Sequence, residues 1–202
     1  MTDEIKKMED RQVPKGRIDL VGCGRLGLRI AINLMQVHRG GPKTIAAFDG
    51  QKIDGGANDA LAKALKLEVS DCFDDETGIG RICRTNQKFI ELKRQILDNF
   101  SNVRIVNSID NDKLITNIGI ISGFGLKNPE YVLLAKNKNV DILISGDLIQ
   151  ETAILARNLG ITLIDLNHHE SEIPGLYALG DVLKELKINV GIVDKKPIEV
   201  IK

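Results

Sequence analysis

The stretch DILISGDLIQETAILARNLGITLIDLNHHESE, residues 141–172, carries the pattern that decides the fold. DILIS (141–145) and ITLID (161–165) are short, nearly unbroken runs of Ile and Leu, the composition of strands buried on both faces of a sheet. Between them, 148–158 reads as an amphipathic helix, and Gly160 follows it as a C-cap. Strand, helix and strand in that order form the crossover unit of a parallel sheet.

Working outward, the same alternation recurs. Further strands are expected at IDLVG (18–22), TIAAF (44–48), VRIVNS (103–108), IGIIS (118–122) and, as a closing strand, NVGIV (189–193). Helices are expected at 25–38, 57–67, 86–99, 128–138 and 175–187. Asn128 with Pro129 marks a helix start, because proline at the first helical position gives up only a donor that was unpaired anyway. Residues 1–14 read as a polar leader, 15–70 as a first unit and 78–202 as a second α/β half. The acidic, glycine-containing stretch DCFDDETGIGR (71–81) is the expected boundary. The fold class is α/β: a largely parallel, Rossmann-like sheet unit followed by a second α/β half, the two building one continuous or closely packed mixed sheet.

Composition narrows the function classes. The 202 residues carry 28 basic and 28 acidic side chains, so bulk charge gives no case for nucleic acid or an anionic membrane as partner. Aromatic residues make up 3% and Trp is absent, which argues against stacking platforms for single strands. No apolar run approaches the roughly 20 residues that span a bilayer, and the charged N-terminus lacks a signal-peptide core. A cytoplasmic protein acting on a small molecule, as a homo-oligomer, is the expectation. Three cysteines, Cys23, Cys72 and Cys83, form no CxxC pair and suggest neither a disulfide framework nor a thiolate zinc site. As nucleophiles, Cys72 and Cys83 lack a nearby histidine in sequence, and Cys23 in the glycine turn reads as small-residue packing or as a thiol activated by a helix N-terminus.

Two motifs carry chemistry. The first, VGCGRLG, sets Gly22, Gly24 and Gly27 in GxGxxG spacing between a strand and a helix. Gly22 permits the tight turn, Gly24 lets a pyrophosphate approach the backbone, and Gly27 allows close helix packing. The helix N-terminus, with Arg25 and Leu26 in its first turn, offers N–H groups to phosphate. Asp49, followed by Gly50, ends the next strand at the place where a carboxylate grips ribose hydroxyls. ATP, NAD and S-adenosylmethionine fit this pattern equally. The second motif is LIDLNHHESE (163–172), where His168, His169 and Glu172 gather past the carboxyl end of a strand, the edge where open α/β sheets bind ligands. Imidazole and carboxylate suit zinc, manganese or iron; the competing reading is a solvated loop. The SGFG turn (122–125) is a weaker signal, either an anion-binding nest or a plain strand-to-helix turn.

Both motifs carry family resemblances. VGCGRLGLRIAINL and IAAFDGQKIDGGAND resemble the start of the ThiF/MoeB/ubiquitin-activating family, which implies ATP binding and adenylation, and also a generic NAD-binding unit; Lys52, Asn58 and Asp59 would then line the nucleotide pocket. GIGRI (78–82), IGIISGFG (118–125), VDILISGD (140–147) and LIDLNHHESE (163–172) resemble the second half of the dinuclear-metal family of GTP cyclohydrolase I type 2 homologues. That resemblance implies that His168 and Glu172 are metal ligands, with Asp147, Glu151, His169 or a neighbouring subunit completing the set. Three functions follow as expectations: a nucleotide-binding, metal-dependent hydrolase or group-transfer enzyme; a non-catalytic cofactor-binding or assembly module; and an NAD-dependent oxidoreductase.

Overall fold

The computed structural model describes residues 56–185 together with 189, 191, 192 and 194. The leader, the expected strands at 18–22 and 44–48, the helix at 25–38 and the whole glycine-turn set (Gly22, Gly24, Arg25, Leu26, Gly27, Asp49 and Gly50) lie outside the described residues, as does part of 189–193. The described elements run α1 (Ala57–Ala64), β1 (Glu68–Cys72), β2 (Arg81–Lys88), α2 (Phe89–Asn99), β3 (Arg104–Val106), β4 (Leu114–Ile120), a short 3-10 turn (Gly125–Lys127), α3 (Glu130–Asn137), β5 (Ile142–Ser145), α4 (Gln150–Leu159), β6 (Thr162–Asp165) and α5 (His168–Glu185).

The six strands form one mixed sheet in the order β1-β2-β4-β5-β6-β3. Only β4, β5 and β6 are parallel; β1, β2 and β3 join antiparallel on the flanks. The expected α/β fold with one mixed sheet stands, its parallel part confined to β4, β5 and β6 among the described residues. Crossovers explain the parallel part, since α3 and α4 each return the chain to start a strand in the same direction.

Alternation along the strands divides the core in two. Ile118, Ile120, Ile142, Ile144 and Ile164 face Leu61, Leu65, Leu92 and Ile96 of α1 and α2. Leu143 and Leu163 face the other way, onto Val132, Ala135 and Ala156 of α3 and α4. The paired segments 118–120, 142–145 and 162–165 are buried on both sides, which is why Ile and Leu dominate them.

Residues 71–81 turn out to join β1 and β2 as a hairpin loop within that sheet. Two further differences have plain causes. First, β1 (EVSDC) is exposed except at its end, and the outer half of β2 alternates with polar residues, so neither strand reads as an apolar run. Second, α5 begins at His168 rather than at 175, with Pro174 inside it. Proline favours the first turn of a helix, and inside one it loses a hydrogen bond and crowds the carbonyl four residues back, so Pro174 masked the turn that precedes it. The HHESE segment is consequently the first turn of a helix and not a loop. Smaller expectations stand: Gly160 caps α4 in the left-handed region (φ 68°), and Asn128 Oδ1 accepts the Glu130 N–H at 3.1 Å, just ahead of α3.

A candidate metal and ligand site at the carboxyl edge

Each of the three parallel strands ends in a residue with left-handed backbone. Gly123 (φ 78°) follows β4, Asp147 (φ 60°) follows β5 and Asn167 (φ 60°) follows β6. Glycine visits this region freely, and Asp and Asn tolerate it better than most residues. The three bends lie against one another. A Cβ on Gly146 would fall 2.5 Å from the Gly123 carbonyl oxygen and 2.6 Å from the Asn167 carbonyl carbon, so only glycine fits.

Hydrogen bonds from buried side chains fix the bends. Asn58 Oδ1 on α1 accepts the Ser122 N–H at 2.7 Å. Ser171, fully buried, accepts the Gly123 N–H at 2.8 Å while donating to the His168 carbonyl at 2.8 Å. Asp165, also buried, accepts the Asn167 N–H at 2.9 Å and is paired with Arg104. The polar groups of this edge are therefore spent on holding the turns, as buried polar groups must be.

On this scaffold sits the histidine–carboxylate cluster. His168 Nδ1 lies 2.8 Å from Asp147 Oδ2, and His168 Nε2 faces Glu172 Oε1 at 3.4 Å, one helical turn along α5. A carboxylate at 147 accepts from an Nδ1–H, and in that tautomer Nε2 turns its lone pair toward Glu172. A Cβ on Gly123 would come within 2.7 Å of Glu172 Oε1; the bare glycine leaves that oxygen room. Burial, partly offset by the facing His168 and reinforced by the charge of Asp147, raises the Glu172 pKa above the ordinary carboxylate value. For His168, burial works downward, but the Asp147 hydrogen bond and the Glu172 and Asp147 charges outweigh it and raise the pKa.

Of the sequence-predicted residues, the structure brings His168, Glu172 and Asp147 together. It turns His169 aside, to Asp194 at 2.8 Å, a partner that sequence spacing gave no hint of. Glu151 lies exposed on the first turn of α4. Among the described residues no three His, Cys, Asp or Glu side chains converge as a metal-ligand set. Asn58 and Asp59 make contacts within the protein: the first holds the SGFG turn, and the second forms a bidentate pair with Arg81 at 2.7 and 3.0 Å. The SGFG segment spends its Gly123 and Ser122 amides on the protein itself, which is the plain-turn reading of it. Ser171 was missed as a site support, because its hydrogen bond to Gly123 spans 48 residues of chain. Cys83 is buried, its thiol pushed up to about 12 by burial and by Asp59, and is no nucleophile at neutral pH. A polar cleft of about 410 Å³ lined by Ser70, Arg84, Asn117 and Lys138, among others, shares no residue with the His168 cluster.

A mixed sheet whose parallel half carries a histidine–carboxylate cluster at its carboxyl edge defines the class as an α/β protein. The chain belongs to the Duf34/NIF3 (NGG1p interacting factor 3) family, whose model matches residues 47–197. It is 39% identical over 142 residues to a GTP cyclohydrolase 1 type 2 homolog of Methanothermobacter thermautotrophicus, covering 70% of this chain and 59% of that protein. A protein of the same description from Methanocaldococcus jannaschii is 34% identical over 125 residues, covering 60% and 48%. The chain thus spans between about half and three-fifths of these relatives. Among solved structures, reduced HcgD from Methanocaldococcus jannaschii superposes with a TM-score of 0.61 at 25% identity, over 90% of this chain and 74% of that one. Staphylococcus aureus hypothetical protein SA1388 gives 0.62 at 20% identity, over 98% and 82%, and supports the fold. The family match starts at 47, so Asp49 and Gly50 fall inside the Duf34/NIF3 span; the ThiF/MoeB and NAD-binding Rossmann resemblances find no support, and the oxidoreductase expectation loses its basis. No helix of the described residues is long and apolar enough to cross a membrane.

Proposed function

We propose that the protein binds a divalent metal through His168 and Glu172 and acts on a nucleotide-like small molecule at the same edge. One observation carries the reading: a histidine whose Nδ1 is fixed by Asp147 directs Nε2 at a half-buried glutamate. Metal-ligating histidines characteristically donate their other ring N–H to a carboxylate, as His168 does. The relatives' description as GTP cyclohydrolase 1 type 2 homologues points the small molecule toward nucleotide chemistry.

A metal held there would supply a Lewis acid and an activated water for hydrolysis or group transfer. The chain's own residues set the stage for it. Asp147 selects the His168 tautomer, Gly123 keeps Glu172 Oε1 accessible, and Ser171 ties the first turn of α5 to the β4 turn. Two protein ligands leave positions open for substrate, for water and for a ligand from a neighbouring subunit of a homo-oligomer. The glycine turn at Gly22, Gly24 and Gly27 is the candidate phosphate holder, tested by Gly24→Val against nucleotide binding.

Metal analysis tests this reading. Protein loaded with Zn²⁺, Mn²⁺ or Fe²⁺ and desalted is expected to retain stoichiometric metal, and His168→Ala or Glu172→Gln to lose most of it. Retention unchanged by both substitutions would overturn the assignment. A second reading, a non-catalytic binding or assembly module, is favoured by the absence of a third converging ligand among the described residues. It predicts a metal-free protein that still raises its melting temperature with a nucleotide.

A further inference from the structure

Phe124 stands apart from the other described phenylalanines. Phe73, Phe89 and Phe100 are 0%, 2% and 6% exposed, whereas Phe124 is 44% exposed. A single exposed apolar side chain is ordinary on a protein surface. The backbone under this one is not. Ser122 is held by Asn58, Gly123 by Ser171, and Leu126 donates to the Gly146 carbonyl at 3.0 Å, so the turn is pinned on both sides of the aromatic residue. Within the turn itself the Phe124 carbonyl accepts the Lys127 N–H at 2.9 Å. Its chain neighbours are glycines under tight packing: Gly123 against Glu172 and His168, and Gly125 against Ser145 and Ile121. A Cβ at Gly123 would lie 2.7 Å from Glu172 Oε1 and 3.5 Å from His168 Nε2, and Phe124 is the next residue, about 3.8 Å further along the chain. A turn pinned on both sides thus carries an exposed aromatic residue one position along the chain from the glycine that packs against the histidine–glutamate pair.

We propose that Phe124 is the stacking platform for a planar heteroaromatic ring of the molecule that the site binds. The assignment rests on the carboxyl-edge site of the preceding section and gives its ligand a chemical class. A phenyl face is sequence-tolerant and needs no hydrogen bonds, so it recognises a flat ring by its π surface while His168 and Glu172 address the polar part. Pre-fixing the turn removes the ordering cost that a loose loop would pay on binding.

The test uses the full chain, with and without added Zn²⁺, titrated calorimetrically with guanosine 5′-monophosphate, flavin mononucleotide and ribose 5-phosphate. At least one of the two aromatic probes is expected to bind. Phe124→Ala should weaken it about tenfold or more, and Phe124→Tyr should restore it. Ribose 5-phosphate should bind poorly and equally to all three proteins. Binding of neither aromatic probe, or an affinity that Phe124→Ala leaves unchanged, would overturn the proposal, as would a loss shared by ribose 5-phosphate. Metal retention, measured on the same variants, separates the two assignments. Phe124→Ala should keep its metal, and a metal-free wild type whose ring binding still depends on Phe124 would sink the metal reading alone. The melting temperature of Phe124→Ala, expected near wild type for an exposed side chain, guards against a folding artefact.

Discussion

Two of the side-chain pairs among the described residues differ in kind. On the antiparallel wing, Arg81 is 6% exposed; it forks onto both oxygens of Asp59 and gives a further bond to the Gly80 carbonyl at 2.8 Å. At the carboxyl edge, His168 is 45% exposed and its Nε2 stands off from Glu172 at 3.4 Å. The first pair is saturated and clamps α1 onto β2. The second is loose, with a lone pair and a carboxylate oxygen still to be used. Saturation marks structure; an incompletely used pair on rigid supports marks a site.

The sharpest way to break that contrast is to remove one member of each pair and compare stability. Arg81→Ala leaves Asp59 without its main partner and is expected to cost about 3–5 kcal/mol in urea unfolding. Glu172→Gln should change stability by less than about 1 kcal/mol while abolishing metal retention. Equal losses in the two variants would erase the distinction.

Next in size is Gly123→Ala. A left-handed alanine with its methyl pressed on Glu172 should cost about 1–3 kcal/mol and displace the carboxylate, so metal binding falls with stability. A variant with wild-type stability and wild-type metal affinity would show that the bend does not support the site.

A smaller effect comes from pH in the metal-free protein. The His168 pKa is raised on folding, so its contribution is fully present below the unfolded value and fades as pH rises through the folded one. The Glu172 pKa is also raised, so the folded state holds a proton that the unfolded chain has released, and stability again falls as pH rises from the ordinary carboxylate value through the folded one. Comparing unfolding midpoints at about pH 5.5 and 8.5 should therefore show a loss that shrinks in His168→Gln. An identical slope in both proteins would contradict the cluster's electrostatics. Smallest of all, Cys83 should resist iodoacetamide in the native protein at pH 8 and react only after unfolding, because burial and Asp59 keep its thiol protonated.

The same contrast explains what could be read in advance. The parallel strands announced themselves, because burial on both faces favours Ile and Leu, which fill the first three positions of ILIS and the middle two of TLID. The wing did not: RICRTNQK carries alternate polar residues, and EVSDC is mostly exposed, so each resembles a loop. At the candidate site, the gathering of His168 and Glu172 after a strand was legible in the sequence; their role as metal ligands is our proposal. Their helical geometry was hidden by Pro174, and the roles of Ser171 and Asn58 depend on contacts 48 and 64 residues away along the chain, which no local pattern encodes. The glycine turn shows the opposite risk, for a strong local motif drew the reading toward a family that wider comparison does not support.

One contact made by α5 has a mechanical consequence. Gly175 rests on Ala57 of α1 so closely that a Cβ there would sit 3.0 Å from both the Cα and the Cβ of Ala57. The helix bearing His168 and Glu172 is thus registered to the rest of the protein at a point with no side chain, less than a turn beyond Glu172. A methyl group added at 175 would act as a wedge under the shaft, tilting the end that carries both ligands while touching neither. Small residues on this seam set the aim of the site from behind.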